Sequence, residues 1–246
     1  VTAGANRRAL AGALALGVLA LGGCSALAPP RLPEPSSASA TPTPSLPTTA
    51  EAFRDARTFA LAAESGHLTG TLGSGRAAVT IDLEGSASGS NQRLQRAVTG
   101  RGTAVVLRVG EARWLAGDAA FWGTRTTKPA LVRARVGTWV PVTAAQADAV
   151  GPETLRAVLE RTLADPAVAA LEGEPAPVTE DEVDGREAWL LGSETAGARV
   201  WVAAGGGGEV LRIAVSGKGA ADLRATDWER ATTWTPPAPG DVPELG

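Results

Sequence analysis

Hydrophobic and polar positions follow three patterns in turn along this chain. The first is an unbroken apolar run, Leu10 to Leu21, which follows Arg7 and Arg8 and leads into Gly22, Gly23 and Cys24. The second, Pro29 to Thr49, is rich in Pro, Ser, Thr and Ala and has no apolar period, which predicts an extended tether. The third, from about residue 50 to the end, consists of short periodic segments separated by glycine-rich turns.

Within the third pattern, Glu51 to Ala63 predicts a helix capped by Thr49 and ended by Ser65-Gly66, with Phe53, Ala56, Ala60 and Ala63 on one face. Alternation then predicts strands at His67–Leu72, Ala77–Glu84, Thr103–Val109 and Ala112–Ala116, and a more polar outer strand at Arg93–Val98. The middle reads as helical: a turn at Asp118–Arg125, a short helix at Pro129–Arg135 and a longer one at Pro152–Leu163, with Pro152 in its first turn. Pro166–Leu171 continues as a turn, and Trp139–Val142 is extended. Strands return at Val178–Val183, Arg186–Leu191, Ala198–Ala203, Val210–Ser216 and Ala220–Trp228, the first pair joined by an Asp184-Gly185 hairpin turn. Sequential strands with short turns imply antiparallel pairing.

Cations, an apolar run, small residues and then cysteine resemble a bacterial lipoprotein signal with its lipobox. The apolar run is about 12 residues, short of the roughly 20 that a spanning helix needs. The resemblance implies a signal peptide over 1–23, diacylation of Cys24, a tether over 24–49 and a domain over 50–246. One acyl chain binds a membrane marginally, and two give stable anchoring. The expected location is the cell membrane, lipid-anchored, on the extracytoplasmic face.

Composition narrows the chemistry. The chain has 23 Lys+Arg and 26 Asp+Glu, net −3; loss of the signal, with two arginines and no acid, leaves 21 against 26, or −5. That balance argues against a nucleic-acid partner and against binding anionic head groups by charge alone. Cys24 is the sole cysteine, so once lipidated it leaves no thiol for a disulfide, a zinc site or a nucleophile. His67 is the sole histidine and reads as a hydrogen-bonded side chain at a strand entry. Glu180, Asp181, Glu182 and Asp184 lack the spacing of a calcium loop and read as a solvated hairpin. Gly205–Gly208 lacks the lysine of a phosphate loop, and no Gly-x-Ser-x-Gly elbow occurs. No enzyme activity, cofactor or metal is expected. Seven tryptophans stand in a chain with no tyrosine, as core residues or as a patch at an apolar mouth.

Several short pieces carry a wider resemblance: His67-Leu68-Thr69-Gly70-Thr71, Ile81-Asp82-Leu83, Val106-Leu107-Arg108-Val109-Gly110, Phe121-Trp122, Gly137-Thr138-Trp139-Val140, Val183-Asp184-Gly185, Leu211-Arg212-Ile213 and Pro236-Pro237-Ala238. In this order they resemble actinobacterial lipoproteins of the LppX/LprG type, which are LolA-like in fold. Lysine only at 128 and 218, beside abundant arginine and alanine, fits such a GC-rich origin, and Val1 reads as a literally translated GTG start. The resemblance implies an α+β fold: a strongly curved antiparallel sheet, or half-barrel, with helices on its concave side and an apolar cavity between. It also implies a membrane-anchored protein that binds or carries lipid or another apolar ligand. The alternative is a non-enzymatic interaction module for an envelope protein partner, using exposed tryptophans. By alternation or helical face, the candidate pocket residues are Ile81, Leu83, Val105, Leu107, Leu155, Leu159, Leu211 and Ile213.

Overall fold

A computed structural model describes residues 46–151, 153–241, 243 and 245. The expected signal, Cys24, the tether as far as residue 45 and Pro152 lie outside the described residues. The elements run in the order α1 (Thr49–Ala62), β1 (Ser65–Leu72), β2 (Val79–Ser86), β3 (Asn91–Val98), β4 (Gly102–Val109), β5 (Ala112–Gly117), α2 (Ala119–Gly123), α3 (Pro129–Arg135), β6 (Val140–Pro141), α4 (Ala144–Asp148), α5 (Leu155–Leu163), α6 (Pro166–Ala169), β7 (Thr179–Val183), β8 (Arg186–Ser193), β9 (Ala198–Ala203), β10 (Val210–Val215) and β11 (Ala221–Thr226).

All eleven strands form one antiparallel sheet in the order β6-β5-β4-β3-β2-β1-β11-β10-β9-β8-β7. Two up-and-down meanders, β1 to β6 and β7 to β11, are joined where β1 pairs with β11. The sheet is curved and is not closed into a barrel, so the fold is α+β, as expected. Register sets an apolar row across five strands: Leu68 opposes Leu83, Leu83 opposes Leu94, Leu94 opposes Val106 and Val106 opposes Leu115. Such cross-strand partners lie on one face, and here that face carries the helices. β3 is an inner strand, with β2 and β4 on its two sides, where its polar sequence suggested an outer one.

Thr48, rather than Thr49, caps α1. It forms a capping box in which its hydroxyl accepts the Glu51 N–H at 3.2 Å and the Glu51 carboxylate accepts the Thr48 N–H at 2.9 Å. Pro47 and Thr48 already pair with the segment before β7, so the folded unit extends N-terminal of residue 50. Ser65 and Gly66 open β1 rather than close the helix. α5 begins at Leu155 because Thr154 caps it, accepting the Ala157 N–H at 3.2 Å. α4 was not expected; a second capping box, Thr143 with Gln146, starts it.

Phe53, Ala56 and Ala60 of α1 and Leu155, Leu159 and Leu163 of α5 pack against Leu68, Leu83, Ile213 and Leu223 in one close-packed core. The opposite face is covered in part by the C-terminal segment. Asn91 exchanges two 2.8 Å hydrogen bonds with the Trp234 backbone, and Arg93 stacks 5.7 Å from that indole.

The chain must pass from the β6 edge to the β7 edge, and it does so across the helix-bearing face. Side chains of β3 and β4 hold the crossing segment by its backbone carbonyls. Arg108, only 3% exposed, donates to Gly151 O at 2.5 Å and Glu153 O at 3.0 Å, and pairs with Asp148 at 3.2 Å. Gln92 donates to Glu153 O at 3.0 Å, and Arg96 to Val150 O at 2.6 Å. Burial lowers the pKa of Arg108 from its ordinary value, and Asp148 opposes that shift. Arg108→Met should cost about 1.5–3 kcal/mol in urea unfolding, because buried carbonyls lose a charged donor. A cost below about 0.5 kcal/mol would show that the clamp contributes nothing.

On the outer face, His67 Nε2 lies 3.0 Å from Asp82 and its Nδ1 lies 3.6 Å from Asp227. The Asp82 hydrogen bond raises the His67 pKa above 6.5, and the same bond lowers that of Asp82 below 3.8. The histidine contribution is therefore full below about 6.5 and fades as pH rises through the raised value; the aspartate contribution holds above 3.8 and fades as pH falls through the lowered one. The melting-temperature gap between the parent and His67→Gln should be larger at about pH 5 than at about pH 9. An equal gap at both would remove the ion pair from the account.

Candidate functional site: an arginine-lined cleft

The packed core fills only part of the helix-bearing face. Beyond it, a cleft of about 880 Å³ opens between the sheet and α2. Small residues let α2 sit close to the strands that it covers. A Cβ at Gly117 would fall 2.3 Å from Phe121 Cδ1, and Gly102, at φ +83°, has Phe121 N in the same position at 2.4 Å. Asp118 ties the pieces together: one carboxylate oxygen caps α2 by accepting the Phe121 N–H at 2.7 Å, and the other accepts the Thr103 N–H of β4 at 2.8 Å. Phe121 and Trp122 meet edge to face, 5.0 Å apart, and join Ala104, Val106, Ala147 and Val150 in a second buried cluster.

Apolar and cationic residues share the cleft lining. Val79 and Val98, opposed in the register, contribute apolar side chains with Ala104, Phe121 and Val150. Arg76 comes from the turn between β1 and β2, Arg96 from β3, Arg101 from the turn between β3 and β4, and Arg125 from the end of α2. The Arg125 guanidinium lies 5.0 Å over the Phe121 ring. A second space of about 450 Å³ shares Phe121, Arg125 and Val150 with the first and reaches Trp122, Val140 and Arg135. A third, about 330 Å³, shares Val79 and Arg96 and carries charges of both signs, with Glu153, Arg161, Asp165 and Lys218.

None of the eight expected pocket residues lines this cleft. Ile81, Leu83, Leu155, Leu159 and Ile213 do face the helices, but as members of the close-packed core. Val105 and Leu107 alternate with Ala104 and Val106 and lie on the other face, where Leu107 opposes Arg93 and Trp114. Leu211 also turns away: the register slips between Val210 and Arg212, and Leu211 packs with Val183, Ala188 and Trp201 on that other face. Trp122, Trp201 and Trp228 are buried, and Trp114, Trp139, Trp189 and Trp234 are half-buried. Asp181 of the acidic hairpin accepts the Trp201 indole N–H at 2.8 Å. Sequence reasoning missed the arginines. The available signal was that Arg96 shares the alternation phase of the inward-facing Leu94 and Val98.

Among solved structures, the chain is similar to LprF from Mycobacterium bovis at 13% identity and a TM-score of 0.46, covering 81% of this chain and 99% of that one. It is also similar to the Mycobacterium tuberculosis lipoprotein LppX at 12% identity and a TM-score of 0.36, covering 73% and 94%. No family model matches the chain, and no curated protein does.

Proposed function

We propose that this chain is a lipoprotein of the cell envelope, anchored by acyl chains on Cys24 to the outer face of the cytoplasmic membrane, whose cleft binds and carries a lipid or another apolar ligand. The observation that carries the reading is the cleft itself. At about 880 Å³ it falls in the range of small-molecule sites, about 300–1,000 Å³, and Val79, Val98, Ala104, Phe121 and Val150 give it an apolar part beside a core that is already filled. The apolar run ending in Cys24 supports the anchor, and the stretch Pro29 to Thr49 supplies a tether that lifts the domain from the bilayer. An apolar ligand placed against Val79, Val98 and Phe121 leaves water as it binds, which is the driving force for uptake.

Val98→Trp tests the reading, because Val98 is half-buried at the cleft and lies outside the packed core. The added ring occupies cleft volume. The full chain, purified in non-ionic detergent, should carry an acyl-chain ligand in native mass spectrometry. The variant should lose most of that ligand at an unchanged melting temperature. A melting temperature lowered by overpacking, about 1–3 kcal/mol, together with a ligand-free parent, would mean that the cleft is part of the core and would end the proposal.

A further inference from the structure

We infer that the cleft selects a lipid by an oxyanion: Arg76, Arg96, Arg101 and Arg125 form a site for the phosphate diester of an anionic phospholipid, whose acyl chains lie along the apolar floor. The inference rests on the reading of the cleft as a lipid site and adds the chemical class of its ligand.

Three observations converge on it. The chain is acidic overall, yet no carboxylate lines this cleft. Among the described residues the four arginines of the cleft make no ion pair; other arginines such as Arg113 and Arg133 also make none, and what sets these four apart is that they line one space together. They also arrive from four separate segments, so no helical or hairpin spacing explains their meeting. Arg96 adds a more local sign. Its Nη1 is fixed on Val150 O at 2.6 Å, while its Nε–H is shielded from solvent and has no hydrogen-bond partner. A held guanidinium with an unused donor is the side-chain chemistry that meets a phosphate oxygen. Four like charges around one cleft repel one another, and a bound anion relieves that repulsion. The neighbouring smaller space mixes Glu153 and Asp165 with Arg96, Arg161 and Lys218, whereas the charged residues of the larger cleft are all cations.

The test uses the full chain, delipidated in non-ionic detergent, with fluorescent phosphatidylglycerol, phosphatidylcholine and diacylglycerol as probes. The parent should bind phosphatidylglycerol at least about tenfold more tightly than diacylglycerol, the change that one charged hydrogen bond supplies. Arg76 and Arg101 are exposed turn residues, so Arg76→Gln with Arg101→Gln leaves the fold in place. That double variant should lose about tenfold or more in phosphatidylglycerol affinity and keep its diacylglycerol affinity. Equal binding of all three probes by the parent, or an unchanged phosphatidylglycerol affinity in the variant, would overturn the oxyanion site and leave the lipid reading standing. Failure to bind any probe would overturn both. Calorimetry with inorganic phosphate separates the two sources of the anion: phosphate alone binding as tightly as phosphatidylglycerol would overturn the lipid head group as the ligand.

Discussion

The fold depends on how one stretch of backbone is satisfied over the face of a sheet. Because the two meanders meet in the middle at β1 and β11, their free ends lie at opposite edges. The chain that joins them has to cross the face that the helices occupy, and its carbonyls lose water there. Buried carbonyls need donors, and an apolar sheet face offers none. Gln92, Arg96 and Arg108 supply them from β3 and β4 to Val150, Gly151 and Glu153. With the crossing segment fixed, α4 lies on one side of it and α5 on the other, and each covers its own part of the sheet.

The same clamp explains why the face is packed in one part and open in another. Toward α1 and α5, leucine, isoleucine and alanine interlock, and side chains such as Phe53, Leu83 and Leu155 are excluded from solvent. Toward α2, the inward position on β3 that continues the row of Leu94 is Arg96, which is too polar to pack as a core residue. α2 and α4 are five residues each and leave the pair Val79 and Val98 only partly covered. A cleft at this place is thus the result of polar residues in a row that is otherwise apolar, and Arg96 takes part in both the clamp and the cleft.

Much of the architecture was legible in the sequence, because alternation and capping are local. The hairpin at Asp184-Gly185, the strand Ala198–Ala203 and the helix Pro129–Arg135 were placed by residues that each element itself contains. What was not legible depends on partners distant in the chain. β4 is buried on both faces, so its run from Ala104 to Leu107 gives two apolar sets and no local sign of which one meets the helices. Leu211 was assigned by counting in twos, and the irregular register after Val210 breaks that count. α4 is an alanine-rich single turn with no apolar period, and only its Thr143–Gln146 capping box announces it. The cleft was hidden for a stronger reason: its arginines lie on four segments that only the tertiary fold brings together.

Net charge is a poor guide to any one surface. An excess of acids argued against anionic head groups, but a ligand responds to the charges within about a Debye length, roughly 8–10 Å, and not to the total. Several acids pair with cations outside the cleft. Asp184, Glu209 and Asp222 neutralise arginines of the second meander, Glu172 holds Arg57, and Asp82 holds His67. Those pairs remove positive charge from the surfaces where they sit. The four arginines of the cleft have no such partners, and no carboxylate lines the space with them. An acidic chain can in this way hold a space whose charged lining is all cationic, because the fold, and not the total, decides which side chains meet.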